Sequence, residues 1–175
     1  MSSHELVDIV DAQDRVVDTV ERHVMREKHL PHRASYIAVC DESGRFIIEI
    51  RTLNKDYAPG LFDACVGGVM QHQEDPAESA KRELFEELGI KAESSNSEFF
   101  ELGKMRVDYQ SGRGFLFAYL YFVKTTAISI RQKEEVSGIM MLNAAELRIL
   151  GESCTYDSLK VFNEILSRAQ KQNLI

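Results

Sequence analysis

The stretch G-V-M-Q-H-Q-E-D-P-A-E-S-A-K-R-E-L-F-E-E-L-G-I, Gly68 to Ile90, reads as a loop running into one amphipathic helix. Asp75 is placed to act as N-cap, Pro76 fits the first helical position, and Glu78 at N3 would close a capping box. Gly89 is placed to end the helix in the left-handed conformation. Between them Ala77, Ala80, Leu84 and Leu88 recur at helical spacing, which predicts a buried stripe. At roughly 100° per residue, Glu83, Glu86 and Glu87 fall within an arc of about 100° beside that stripe. Three carboxylates therefore share one edge of a packed helix. Like charges at these spacings repel by about a few tenths of a kcal/mol each. Partly desolvated, they raise one another's pKa values. A helix that needed only stability would gain from a lysine at one of these positions. The arrangement suits a divalent cation such as Mg²⁺, a hard ion that takes oxygen ligands and is shared with substrate phosphates. The alternative is an acidic edge facing water, with Arg82 paired to Glu78 or Glu86.

Gly68, Glu74, Arg82, Glu83, Leu84, Glu86, Glu87, Gly89 and Ile90 together resemble the signature of the Nudix hydrolases, G-x5-E-x7-R-E-U-x-E-E-x-G-U, with U an aliphatic residue. Every position is filled, and the chance of such a match at average residue frequencies is on the order of 10⁻⁷. The resemblance implies an α+β fold, an α/β/α sandwich with a mixed β-sheet and the motif helix on one face. It also implies roles. Glu83, Glu86 and Glu87 would be metal ligands, with the Gly68 carbonyl completing the set. Arg82 would orient Glu83, and Glu74 would support the cluster. The implied catalytic residues are Glu83, Glu86, Glu87 and Arg82, and the implied cofactor is Mg²⁺ or Mn²⁺.

The bounds set by composition agree. The chain has 175 residues, 44% hydrophobic and 28% charged, which suits one domain with a sizeable core. No apolar run reaches the ~18 residues of a membrane helix, so no membrane association is expected. Glu5, Asp8 and Asp11 at the start do not read as a signal peptide. Cys40, Cys65 and Cys154 are odd in number and widely spaced, as expected of reduced thiols in a cytoplasmic protein. A net charge of −7 offers no basic field for a nucleic acid polymer. The expected partner is a small diphosphate, recruited by metal and by a few local Arg and Lys side chains.

Along the chain, residues 1–32 read as an N-terminal strand and helix extension, 33–150 as the core and 151–175 as a C-terminal helix. Leu6–Val10 and Val16–Thr19 are predicted strands, and Glu21–Leu30 a helix ended by Pro31. Tyr36–Cys40 and Phe46–Arg51 flank the turn D-E-S-G and predict a hairpin. Glu98–Tyr109 and Phe115–Lys124 predict two longer strands, the second apolar on both faces. Ile128–Ile130 and Val136–Leu142 are further candidates. Asn143 caps a short helix with Glu146 at N3, and Thr155–Gln170 is amphipathic through Leu159, Phe162, Leu166 and Ala169. His32 is read as a cap or as packing against the core, and Tyr109, Phe115 and Tyr119 could stack on a base, with core packing the default in a strand this apolar. The N-terminal strands and the central hairpin could form a homodimer surface.

Val7–Asp11, His32–Ser35 and the set Arg51, Lys55, Pro59 and Gly60 also resemble isopentenyl diphosphate isomerase, a branch of the same superfamily. That likeness implies a phosphate loop, with Arg51 and Lys55 as substrate contacts. Arg suits bidentate phosphate binding and Lys acts as a point charge. The catalytic Cys of the isomerase falls on Gly67 and its His ligand on Val69, while Cys65 lies two residues earlier. Glu134 and Glu135 stand where Nudix proteins often place another Glu. Glu135 matches best as a further metal ligand or base, or else belongs to an acidic turn. The leading expectation is water attack on the pyrophosphate bond of a nucleoside diphosphate-linked substrate. Isomerase-like chemistry and non-catalytic nucleotide sensing are the alternatives.

Overall fold

One mixed sheet carries a helix on each face. The computed structural model of the chain describes residues 4–55, 57–130, 134 and 136–175. In order the elements are β1 (Leu6–Val10), β2 (Val16–Glu21), α1 (Arg22–Glu27), β3 (His32–Cys40), β4 (Phe46–Arg51), β5 (Phe62–Asp63) and α2 (Pro76–Leu88). They continue with β6 (Ser97–Asp108), β7 (Phe115–Thr125), β8 (Val136–Leu142), α3 (Ala144–Leu150), a 3₁₀ turn (Gly151–Ser153) and α4 (Tyr156–Lys171). β3 runs parallel to β7 from His32/Leu116 to Cys40/Lys124, and β6 lies antiparallel beyond β7. β4 carries β5 and β8, both antiparallel.

Alternation along β3 and β7 splits the core in two. Ala34, Tyr36, Ala38 and Cys40, with Leu116, Ala118, Leu120 and Phe122, face Val161, Phe162, Ile165 and Ala169 of α4. Ile37, Val39, Tyr121 and Val123 face Ala80, Leu84 and Leu88 of α2. A third cluster, Val7, Ile9, Met25 and Val69, ties the N-terminal strands and α1 to the segment after Gly68.

α2 starts and stops where its residues dictate. Asp75 accepts from the N–H groups of Ala77 and Glu78, and Gly89 closes the helix at φ 66°. The expected reciprocal bond from Glu78 is replaced: its carboxylate takes the Lys81 ammonium at 2.9 Å. α1 is shorter than the expected Glu21–Leu30, for a reason in its own backbone. His29 turns left-handed at φ 52°, Leu30 N–H reaches the Met25 carbonyl and His29 N–H the Arg26 carbonyl. This is a Schellman ending, with Leu30 packed into the same cluster as Met25.

Two further expectations change. β3 begins at His32, four residues before Tyr36, because β7 pairs along one edge and Gly68 and Met70 bond to Ser35 and Arg33 on the other. Ile128–Ile130 is not a strand. Ile130 N–H bonds to the Leu88 carbonyl, so this segment crosses the end of α2, and Ile128 is 87% exposed.

Candidate active site

α2 brings its carboxylates to the back of a loop that only glycine can form. Gly67, at φ 144°, presses on the Ser35 carbonyl so closely that a Cβ would collide with it. A Cβ on Gly68 would lie 2.6 Å from Glu83 Oε1. The Glu83 carboxylate therefore occupies the space a side chain at position 68 would need.

Glu83 is 1% exposed. Its Oε1 accepts from Arg82 Nη1 at 2.8 Å, and its buried Oε2 has no hydrogen-bond partner. Burial pushes the Glu83 carboxyl above its usual range, against the pull of Arg82. Glu87, 3% exposed, accepts from Gly67 N–H at 3.1 Å and lies 3.6 Å from Lys55 Nζ. Burial, and then the Glu83 charge, push its carboxyl upward. Glu86 stays half-exposed at the outer edge, 3.0 Å from Arg82 Nη1. Arg82 is the hub: Nε and Nη2 hold Glu74 at 2.7 and 3.1 Å while Nη1 spans Glu83 and Glu86. Arg82 thus ties Glu74 on one side to Glu83 on the other. The Gly68 carbonyl accepts from Ser35 N–H at 2.9 Å, which leaves one of its two lone pairs.

A fourth carboxylate joins them. Glu49 on β4 is 3% exposed with a buried, unpartnered Oε1. Burial, then the charges of Glu87 and Asp63, hold its carboxyl far above the usual range. The signal in the sequence was a lone Glu inside F-I-I-E-I-R, where alternation puts it on the face of Ile47. A group of mutually repelling buried carboxylates with two orphan oxygens is unfavourable for the protein alone. It fits a hard, oxygen-seeking divalent cation. Glu83, Glu86 and Glu87, the Gly68 carbonyl and Glu49 are the donors that could hold one. Among the described residues, no three of these carboxylates bring ligand oxygens within 4.8 Å of one another.

In front of Gly67 and Gly68 opens a cavity of about 660 Å³. Arg51 and Lys55 both line it. Arg51 spends its donors locally: Nη1 bonds Asp63, and Nε and Nη2 bond the Tyr57 carbonyl at 3.1 and 2.8 Å. It braces the phosphate-loop candidate as well as facing the cavity. Tyr57 bonds Asp157 at 2.8 Å and Tyr36 bonds the other oxygen of Asp157 at 2.6 Å. Glu134 lines the cavity and its carbonyl accepts from Thr52. Glu135 lies outside the described residues. Cys65 is buried on the wall, and burial followed by the charges of Asp63, Asp157 and Glu49 pushes its thiol far up.

Residues expected elsewhere also reach this cavity. Tyr109 packs against the core, as expected, and also lines the cavity, its hydroxyl 3.0 Å from His32 Nδ1. His32 is buried as expected. Arg106 stays with its own hairpin, bonded to Asp108 and 3.8 Å over the Phe115 ring. α1 supplies Arg22 and Arg26, whose only sequence signal was a basic i, i+4 pair. Among the described residues, no helix is long and apolar enough to cross a membrane.

Comparison with known proteins gives one answer. The family model of the NUDIX domain matches residues 30–160. The Nudix hydrolase YfcD of Shigella flexneri is 35% identical over 175 residues, covering 100% of this chain and 94% of its own. The crystal structure of DR0079 from Deinococcus radiodurans superposes with a TM-score of 0.77 at 24% identity, over 92% of this chain and 99% of that one. The NUDIX domain of Shewanella oneidensis NrtR, solved with ADP ribose, shares the fold at a TM-score of 0.61 and 14% identity, over 80% and 86% of the two chains. With its glutamate helix, glycine floor and sandwich fold, the chain belongs to the Nudix family of pyrophosphohydrolases.

Proposed function

We propose that this enzyme hydrolyses the pyrophosphate bond of a nucleoside diphosphate-linked substrate by water attack, with Mg²⁺ or Mn²⁺. One observation carries the reading: Glu83 sits directly behind Gly68 with a buried, unpartnered oxygen aimed at no protein donor. Glu83, Glu86, Glu87 and the Gly68 carbonyl would hold the metal, with Glu49 beside them and Glu135 as a further ligand. A divalent cation there would neutralise phosphate charge and lower the pKa of a water. The side chains do the rest. Arg82 fixes the Glu83 carboxylate, which is placed to hold the proton of the attacking water. Lys55 and Arg51 bind and orient the phosphates from the facing wall, and the work is mainly positioning and electrostatics. The ADP ribose held by the NrtR domain is a compound of this class. Three buried thiols suit a reducing compartment, the cytoplasm.

The test is a panel of such compounds with Mg²⁺ or Mn²⁺, comparing the native enzyme with Glu83→Gln. Metal-dependent release of two phosphate-bearing products, reduced about a hundredfold or more in the variant, is expected. No turnover of any member, with the variant equally inert, would reject the reading. Cys65 gives no support to isomerase chemistry, since its environment keeps it a thiol where a thiolate would be needed.

A further inference from the structure

β1 lies before residue 30, outside the segment that the family model matches, yet it grips the loop that leads into α2. His72 N–H bonds the Leu6 carbonyl at 2.8 Å. Asp8, paired with Thr19 across the β1–β2 ladder, reaches the same loop with its side chain. Its Oδ1 lies 2.6 Å from His72 Nδ1, and its Oδ2 accepts from Gln73 N–H at 3.1 Å. Thr19 Oγ1 donates to Oδ1 at 3.2 Å. Asp8 is buried. Burial alone would raise its carboxyl, but the bonds from His72, Gln73 and Thr19 hold it below the usual range. An ionised carboxylate only accepts, so His72 Nδ1 carries the hydrogen between them.

The gripped loop has a shape that needs holding. Gln73 is left-handed at φ 59°, a conformation that a residue with a side chain keeps only when its surroundings enforce it. Asp8 enforces it at the Gln73 N–H itself. The next residue is Glu74, which closes a tight turn. Glu74 N–H bonds the Gln71 carbonyl at 3.1 Å, and Gln71 N–H bonds Glu74 Oε2 at 2.9 Å. Glu74 then takes Arg82 with both oxygens, at 2.7 and 3.1 Å. Such a two-point contact fixes direction as well as distance, so the place of Glu74 sets the place of the Arg82 fork. Arg82 Nη1 meets Glu83 Oε1 at 2.8 Å. A continuous path of hydrogen bonds and one peptide link thus leads from β1 to the carboxylate behind Gly68.

We propose that Asp8 is a positioning residue for the metal-binding carboxylates. Through His72 and Gln73 it fixes the turn of residues 71–74, and through Glu74 and Arg82 it sets where Glu83 presents its oxygens. It touches neither metal nor substrate. The inference rests on the hydrolase reading above and extends that site to a strand outside the matched segment. A residue that only fastened β1 and β2 to the domain would change how much protein is folded. A positioning residue changes how tightly each folded molecule holds its metal, as groups behind the ligands do.

The experiment titrates Mn²⁺ into the full chain, following the free ion by electron paramagnetic resonance, and measures metal-dependent turnover alongside. Asp8→Ala is expected to raise the Mn²⁺ Kd about tenfold, and the metal concentration for half-maximal turnover with it. Asp8→Asn keeps an oxygen for the Gln73 N–H and should recover most of the affinity. Asp11→Ala is the control: it cuts the bonds to Gln13 and Arg15 in the turn of the same hairpin, and its Kd should stay native. All are assayed below their melting temperatures. A native Kd in folded Asp8→Ala, or a rise as large in Asp11→Ala, would overturn the proposal. His72→Phe removes one of the two grips and should raise the Kd by a smaller factor. It carries the test should Asp8→Ala not fold, and a native Kd there would then overturn the proposal. A native chain that binds Mn²⁺ but hydrolyses nothing sinks the hydrolase reading alone, and the Kd shift still decides on Asp8. A native chain that binds no Mn²⁺ overturns both.

Discussion

At the scale of single residues, the contact between Gly68 and Glu83 governs the site. One added methyl group at position 68 would meet Glu83 Oε1 at 2.6 Å, and the carboxylate would have to swing away. Gly68→Ala is therefore expected to lower metal-dependent turnover by about a hundredfold, since a displacement of about 1 Å in a catalytic group costs that much. Because the carboxylate end can yield, the melting temperature should fall little. A large loss of stability with activity per folded molecule intact would contradict this account. Spacing put Glu83, Glu86 and Glu87 on one helix edge, and the resemblance added Arg82 to them; one helix carries them all. Glu49 was not legible, because it joins them only when β4 lies against the end of α2, a long-range event that leaves one odd glutamate as its trace.

At the scale of elements, local chemistry was the better guide wherever an element is self-contained. α2, β4 and α3 begin and end at their caps, turns and glycines. Asn143 and Glu146 close the expected capping box of α3. β3 was read short because its first residues, His32 to Ser35, look polar and pair only through distant partners. The α2 cap can be tested directly. Asp75 holds two of the helix's first N–H groups, at 2.9 and 3.2 Å. Asp75→Ala should cost about 1 kcal/mol in urea denaturation, and Asp75→Asn should recover most of it. An unchanged midpoint in Asp75→Ala would mean that packing alone sets the start of α2.

At the scale of the whole molecule, one buried ring links stability to acidity. Burial, aided by Arg26 and Arg22, lowers His32 to about 4 from 6.5, while its contact with the Leu30 carbonyl works the other way. Its folded pKa is depressed, so the unfolded chain takes up a proton that the folded chain refuses. Stability is therefore full above the unfolded value and falls as the pH drops from about 6.5 to about 4, by roughly 3 kcal/mol in all. Urea midpoints at about pH 7 and about pH 4.5 measure it. His32→Gln should show a smaller loss over the same interval, and an identical loss would assign the slope to other groups.

The parallel ladder between β3 and β7 has a consequence in time. His32 pairs with Leu116, so α2 and all of β6 must leave the ribosome before β3 can find its partner. Pairing of distant parallel strands is slow to form. The Gly68 floor hangs from the opposite edge of the same strand. The Gly68 floor and the strand that carries it are thus among the last parts of the sheet to be assembled.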